Sequence, residues 1–143
     1  MTSPSGAPRL YPTFRYEDPA TMIEWLKEAF GFELRVKYDD ETGGIMHAEM
    51  AFGPSLIMLG QARDDAYGGL VGRPGKGGGK STYVAVDDAD AAYDRAKAAG
   101  ATILEELTDR SYGSREFVCA DPEGHVWAFG TYRPATDEVP PAG

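Results

Sequence analysis

The feature that most constrains this chain is that one order of structural signals occurs in it twice. Residues 11–16 (YPTFRY) read as a short strand, and Asp18-Pro19 supplies a helix N-cap followed by proline at the first helical position. Met22, Ile23, Leu26, Ala29 and Phe30 follow at helical spacing, with Glu24, Lys27 and Glu28 on the other side. Gly31 stands where a helix-terminating glycine belongs. Three strands are expected next, at 32–38, 45–52 and 56–59. Turn residues separate them, Asp39-Asp40 through Gly43-Gly44 and then Gly53-Pro54.

The second half repeats the order. Residues 81–86 (STYVAV) read as a strand, and Asp87 or Asp88 caps a helix in which Ala92, Tyr93, Ala96 and Ala99 repeat the apolar spacing of the first. Gly100 closes it, and strands are expected at 102–107, 116–120 and 126–129. Asp121-Pro122-Glu123-Gly124 is a strong turn sequence before the last of them. The halves are offset by about seventy residues, the size of a supersecondary unit rather than a solenoid repeat. One amphipathic helix per four strands covers one sheet face and leaves the other to curve around something. The expected class is α+β, two βαβββ modules at 10–60 and 81–132 forming an eight-stranded cup wide enough for one small ligand. The segment 61–80, rich in Gly, Asp and Lys, reads as a linker, with Gly77-Gly78-Gly79 flexible. The tails, 1–9 and 136–143, show no periodicity and are expected to be flexible.

Composition removes several functions. Hydrophobic residues make up 42% of the 143, enough for a core without disulfides or a structural metal. The formal net charge of −9, without a run of Lys or Arg, argues against nucleic acid as a partner. Cys119 is the single cysteine, so neither an internal disulfide nor a multi-cysteine zinc site is available, and it reads as a small buried strand residue rather than a nucleophile. No apolar stretch is long enough to span a membrane, and the first ten residues lack the charged-then-apolar pattern of an export signal, so the cytoplasm is the expected setting.

Four segments, in order, carry a family resemblance. They are Phe14-Arg15-Tyr16-Glu17-Asp18, its echo Tyr83-Val84-Ala85-Val86-Asp87-Asp88, the helix end Ala98-Ala99-Gly100-Ala101, and Asp121-Pro122-Glu123-Gly124-His125-Val126-Trp127. With them the chain resembles the glyoxalase, bleomycin-resistance and extradiol-dioxygenase superfamily, the vicinal-oxygen-chelate proteins, over residues 11–132. The resemblance implies a dimer-prone βαβββ fold whose enzymes hold one divalent metal at the cup centre, with His or Glu ligands from the first and last strand of each module. Here those positions fall at Tyr11, Met58, Ser81 and Ala128. A phenol, a thioether, an alcohol and a methyl do not build such a site, so neither a metal nor another cofactor is expected.

Strand alternation assigns the cup lining. Tyr11, Arg15, Leu56, Met58, Tyr83, Val126 and Ala128 are expected on the cup face, with Phe14, Tyr16, Trp127 and Phe129 in the core. Tyr112 and Arg115 lie in a loop that the resemblance brings to the cup, where Arg115 pairs either with an anionic ligand group or with a neighbouring carboxylate. His47 and Glu49 share one strand face, two groups where a catalytic metal needs three, and read as strand surface before ligands. His125, at a turn, reads as exposed, and Trp25 as core or subunit contact. The ligand-binding candidates are thus Tyr11, Arg15, Met58, Tyr83, Tyr112, Arg115 and Ala128. Their aromatic and apolar character suits a planar or antibiotic-like small molecule. The leading expectation is a metal-free homodimeric binding protein of the kind that confers antibiotic resistance. The alternatives are a metal-dependent lyase, isomerase or dioxygenase, and a metal-free enzyme with Tyr or Glu as acid or base.

Overall fold

The computed structural model describes residues 7–75 and 78–135, so the expectations placed on 1–6, 76–77 and 136–143 lie outside the described residues. The chain divides into two units between Pro74 and Gly75. In the first, the order is β1 (Thr13–Tyr16), α1 (Pro19–Phe30), β2 (Glu33–Asp39), β3 (Ile45–Phe52), β4 (Ser55–Gln61) and a short α2 (Ala66–Val71). In the second it is β5 (Thr82–Ala85), α3 (Ala89–Ala98), β6 (Thr102–Asp109), β7 (Arg115–Ala120) and β8 (Val126–Gly130). Each unit builds its own four-stranded sheet, ordered β1-β4-β3-β2 and β5-β8-β7-β6. The pairing of first with last strand is parallel in both, and the other ladders are antiparallel.

The helices begin and end where their residues dictate. Asp18 accepts a hydrogen bond from the Thr21 amide (3.2 Å), and Gly31 takes the left-handed conformation, φ 81°, that ends α1. Asp88, of the two candidates, caps α3 through the Ala91 amide (3.0 Å). The chain leaves that helix one residue before Gly100, through Ala99.

Alternation sorts each sheet into a face under its helix and a face away from it, called here the open face. In the first unit α1 buries Met22, Ile23, Leu26 and Phe30 with Phe14, Tyr16, Ala48, Met50, Ile57 and Leu59. Trp25 is half-buried and meets Phe30 edge-on at 4.9 Å. In the second unit Phe117 stacks on Phe129 at 5.1 Å and makes a T-shaped pair with Tyr93 of α3 at 5.3 Å, with Trp127 and Cys119 fully buried. Burial pushes the Cys119 thiol up to about 12, with the charge of Asp121 adding to the effect. The thiol therefore stays protonated, as the reading of a buried strand residue requires. Iodoacetamide is expected to label Cys119 only as fast as the protein unfolds; rapid labelling under native conditions, read by mass spectrometry, would show an accessible thiolate instead.

The segment expected to be only a linker contains structure. β4 runs on to Gln61, and α2 follows, capped by Asp65, whose carboxylate accepts from the Gly68 amide at 2.7 Å.

Candidate functional site

The candidate surface is the open face, one on each module. On the first, Arg15, Leu56, Met58 and Gly60 alternate with the buried side chains of β1 and β4, as the sequence pattern predicts. In register, Thr13 lies beside Met58, Met58 beside Glu49, and Glu49 beside Val36. His47 and Glu49 share this face, and their side chains meet at 2.8 Å, with the Tyr38 ring stacked on His47 at 6.3 Å. The exposed Tyr11 precedes β1, and its hydroxyl donates to the Pro8 carbonyl.

Arg15 is held by a fork. Its two terminal nitrogens donate to the two carboxylate oxygens of Asp65 at 2.7 and 3.1 Å, and the Tyr67 ring lies 5.0 Å from the guanidinium carbon. α2 is thereby anchored to the open side of β1. The hydrogen bonds from Arg15 and then from the Gly68 amide hold the Asp65 carboxyl down to about 2. A carboxyl lowered on folding contributes stability above its ordinary range and loses it as pH falls through the folded value. The Arg15–Asp65 clamp is therefore expected to stay closed at a pH of about 4 and to open as pH approaches about 2. A Tyr67 ring resonance that instead titrated with a midpoint near the ordinary carboxyl value would show that no clamp exists.

On the second module the open face carries Tyr83, Ala85, Val126, Ala128 and Gly130 from β5 and β8, and Glu116, Val118 and Ala120 from β7. Tyr83 lies beside Ala128, Ala128 beside Val118, and Val118 beside Glu105. A polar cluster sits at one end. Glu116, only 13% exposed, accepts from Arg110 Nε at 3.2 Å on one oxygen and from the Tyr112 hydroxyl at 2.8 Å on the other. Arg110 also donates to Glu105 at 2.7 Å. The Tyr83 hydroxyl donates to the Tyr132 carbonyl at 2.6 Å, and Tyr112 meets the Tyr132 ring edge-on at 6.1 Å. Desolvation first raises the Tyr83 phenol, and the hydrogen bond to Glu116 first raises that of Tyr112. Both therefore keep their protons at neutral pH and act as donors. Gly130 makes the cluster possible: a Cβ there would lie 2.6 Å from the Tyr83 hydroxyl and 2.7 Å from Glu116 Cγ.

Of the residues singled out from the sequence, Arg15, Met58, Tyr83 and Ala128 stand on open faces, and Tyr112 reaches the second one through Glu116. Arg115 does not. It shares the side of Phe117 and Cys119, where it forks onto Asp90 of α3 (3.1 and 3.1 Å) and bonds Asp109 at 3.1 Å. The carboxylate-pairing alternative describes it, because one residue along a strand reverses the face. Glu116, Arg110 and Gly130 were not singled out. A glycine at the same place on β4 and β8, Gly60 and Gly130, was the available signal of a close approach.

The positions where the resemblance puts metal ligands offer no imidazole or carboxylate. Tyr11 and Ser81 precede β1 and β5, and Met58 and Ala128 stand in β4 and β8. Among the described residues no three His, Cys, Asp or Glu side chains converge to hold an ion. These donors do not fit a divalent metal.

Two βαβββ modules, each with its first and last strands paired in parallel and a helix on one face, define the class of protein. The family model described as Glyoxalase/Bleomycin resistance protein/Dioxygenase superfamily matches residues 10–129, and the chain belongs to that superfamily. An uncharacterized protein of Mycobacterium tuberculosis is 32% identical over 125 residues, covering 86% of this chain and 74% of that one. The crystal structure of TioX from Micromonospora sp. ML1 superposes with a TM-score of 0.69 at 29% identity, over 90% of this chain and 99% of that one. The fosfomycin resistance protein FosX from Mesorhizobium loti, at 15% identity and a TM-score of 0.63 over 88% and 92% of the two chains, shares the fold. No helix of the described residues is long and apolar enough to cross a membrane.

Proposed function

We propose that this protein binds a small planar aromatic or antibiotic-like molecule on its open sheet faces, as a homodimer and without a metal. One observation carries the reading. Where the superfamily's enzymes would present metal ligands, these faces present Met58 and Ala128, flanked by Leu56, Val118, Val126 and the half-exposed rings of Tyr83 and Tyr112. Such surfaces attract flat apolar molecules by desolvation and ring stacking, and Met58 adapts to irregular outlines. The resistance protein among the structural neighbours agrees with an antibiotic-like ligand only at the level of fold.

The test is thermal unfolding of the protein with bleomycin and a panel of planar aromatic antibiotics. A compound present at about a hundred times its Kd is expected to raise the Tm by roughly 5 °C or more. A panel without any shift would contradict the reading. Light scattering in the same buffer is expected to give twice the chain mass.

The competing reading is a metal-dependent lyase, isomerase or dioxygenase. What favours it is the His47–Glu49 pair at 2.8 Å on an open face. It needs a further ligand, and metal content separates the two.

A further inference from the structure

We propose that the Glu116 cluster on the second module is a recognition point for a positively charged, N–H-bearing group on the aromatic ligand, an assignment that rests on the small-molecule-binding reading above.

Three observations lead there. The first is acceptor capacity. Each Glu116 oxygen accepts one donor from the protein, Arg110 Nε or the Tyr112 hydroxyl, and a carboxylate has about four acceptor positions. The carboxylate is thus fixed in place and still able to receive a ligand N–H. The second is charge. Arg110 stands between Glu105 and Glu116, one guanidinium against two carboxylates, so this end of the face is negative in excess. The guanidinium that an anionic ligand would otherwise seek on the first module's face, Arg15, is forked onto Asp65, and Arg115 is forked onto Asp90 on the opposite side of the sheet. The third is shape. Tyr83 and Tyr112, each 37% exposed, flank the carboxylate, and the absence of a side chain at Gly130 lets Tyr83 and Glu116 approach the same spot. Aromatic rings beside a fixed anion suit a flat cation, held by stacking, cation–π attraction and a charge-assisted hydrogen bond together.

The experiment is a fluorescence titration of the full chain with two tricyclic probes of similar outline, proflavine, a planar cation with amino donors, and anthraquinone sulfonate, a planar anion. Proflavine is expected to bind at least about tenfold tighter, and Glu116→Gln to weaken it about tenfold or more while leaving the sulfonate unchanged or tighter. Arg115→Gln, on the other side of the sheet, is expected to leave proflavine binding unchanged. Tyr112→Phe keeps the charge and removes one support, so a loss smaller than that of Glu116→Gln is expected, and it replaces that variant as the test if circular dichroism shows Glu116→Gln unfolded. Proflavine affinity untouched by Glu116→Gln, or by Tyr112→Phe where that variant replaces it, or tighter binding of the sulfonate, overturns the assignment and leaves the aromatic-binding reading standing. If neither probe binds at up to about 1 mM, both are overturned.

Discussion

Replacing Asp121 with alanine is expected to cost about 3 kcal/mol, a fall in Tm on the order of 10 °C. This carboxylate is 3% exposed and organises the last turn of the second module. One oxygen accepts from the amides of Glu123 (3.0 Å) and His125 (3.1 Å), and the other accepts from the indole nitrogen of Trp127 (3.1 Å). Trp127 is fully buried, so an alanine at 121 takes the Asp121 acceptor from its indole N–H deep in the core. Asp121→Asn separates the parts of this account. It keeps an acceptor for the two amides but turns a donor toward the indole, and it is expected to lose a substantial fraction of the same stability. Urea unfolding followed by Trp fluorescence measures both. An alanine variant as stable as the parent would mean that the turn is held by its backbone alone.

Gly130→Ala is expected to have the opposite profile, a modest loss of stability and a large loss of binding. The backbone at Gly130 does not need a glycine conformation, since its φ is not in the left-handed region. The conflict is with side chains: the new methyl would sit 2.6 Å from the Tyr83 hydroxyl and 2.7 Å from Glu116 Cγ. Both can swing aside, at an overpacking cost of about 1–3 kcal/mol, but not without leaving the arrangement they make with Tyr112 and Tyr132. Proflavine affinity is expected to fall about tenfold or more. The equivalent change in the first module, Gly60→Ala, meets the Met46 carbonyl oxygen at 2.7 Å. That atom belongs to the backbone of β3 and cannot rotate away, so Gly60→Ala is expected to be the more destabilising of the two. Paired melting and titration curves for the two variants decide this.

The fold was legible because its signals are local and occur twice. Asp18-Pro19 and Gly31 bracket α1, and the alternation of Phe14 with Arg15 or Trp127 with Ala128 assigns each residue to a face without any knowledge of its partner. What was not legible depends on pairs far apart in the chain. The segment between the modules reads as a linker from its Gly, Asp and Lys content, and the helix it does contain leaves Tyr67, Leu70 and Val71 exposed. What anchors α2 is Arg15, fifty residues before Asp65. From its loop Arg115 reads equally as a partner for an anionic ligand or for a neighbouring carboxylate, and a strand that starts at Arg115 itself decides for the carboxylate by pointing that side chain toward α3. Glu116 is, from the sequence, only the first residue of the strand expected at 116–120. Its burial comes from Arg110, Tyr112 and the bare Gly130 of a neighbouring strand, and no spacing rule brings those together.

Whether the open faces take an aromatic small molecule without the aid of a metal ion is decided by calorimetric titration of proflavine and bleomycin into protein purified without chelator, before and after dialysis against EDTA, with the metal content of both samples measured. Metal well below one ion per chain and the same Kd in both samples are expected. One tightly held divalent ion per chain, with binding lost on its removal and restored on its return, would show instead that the faces bind through a metal.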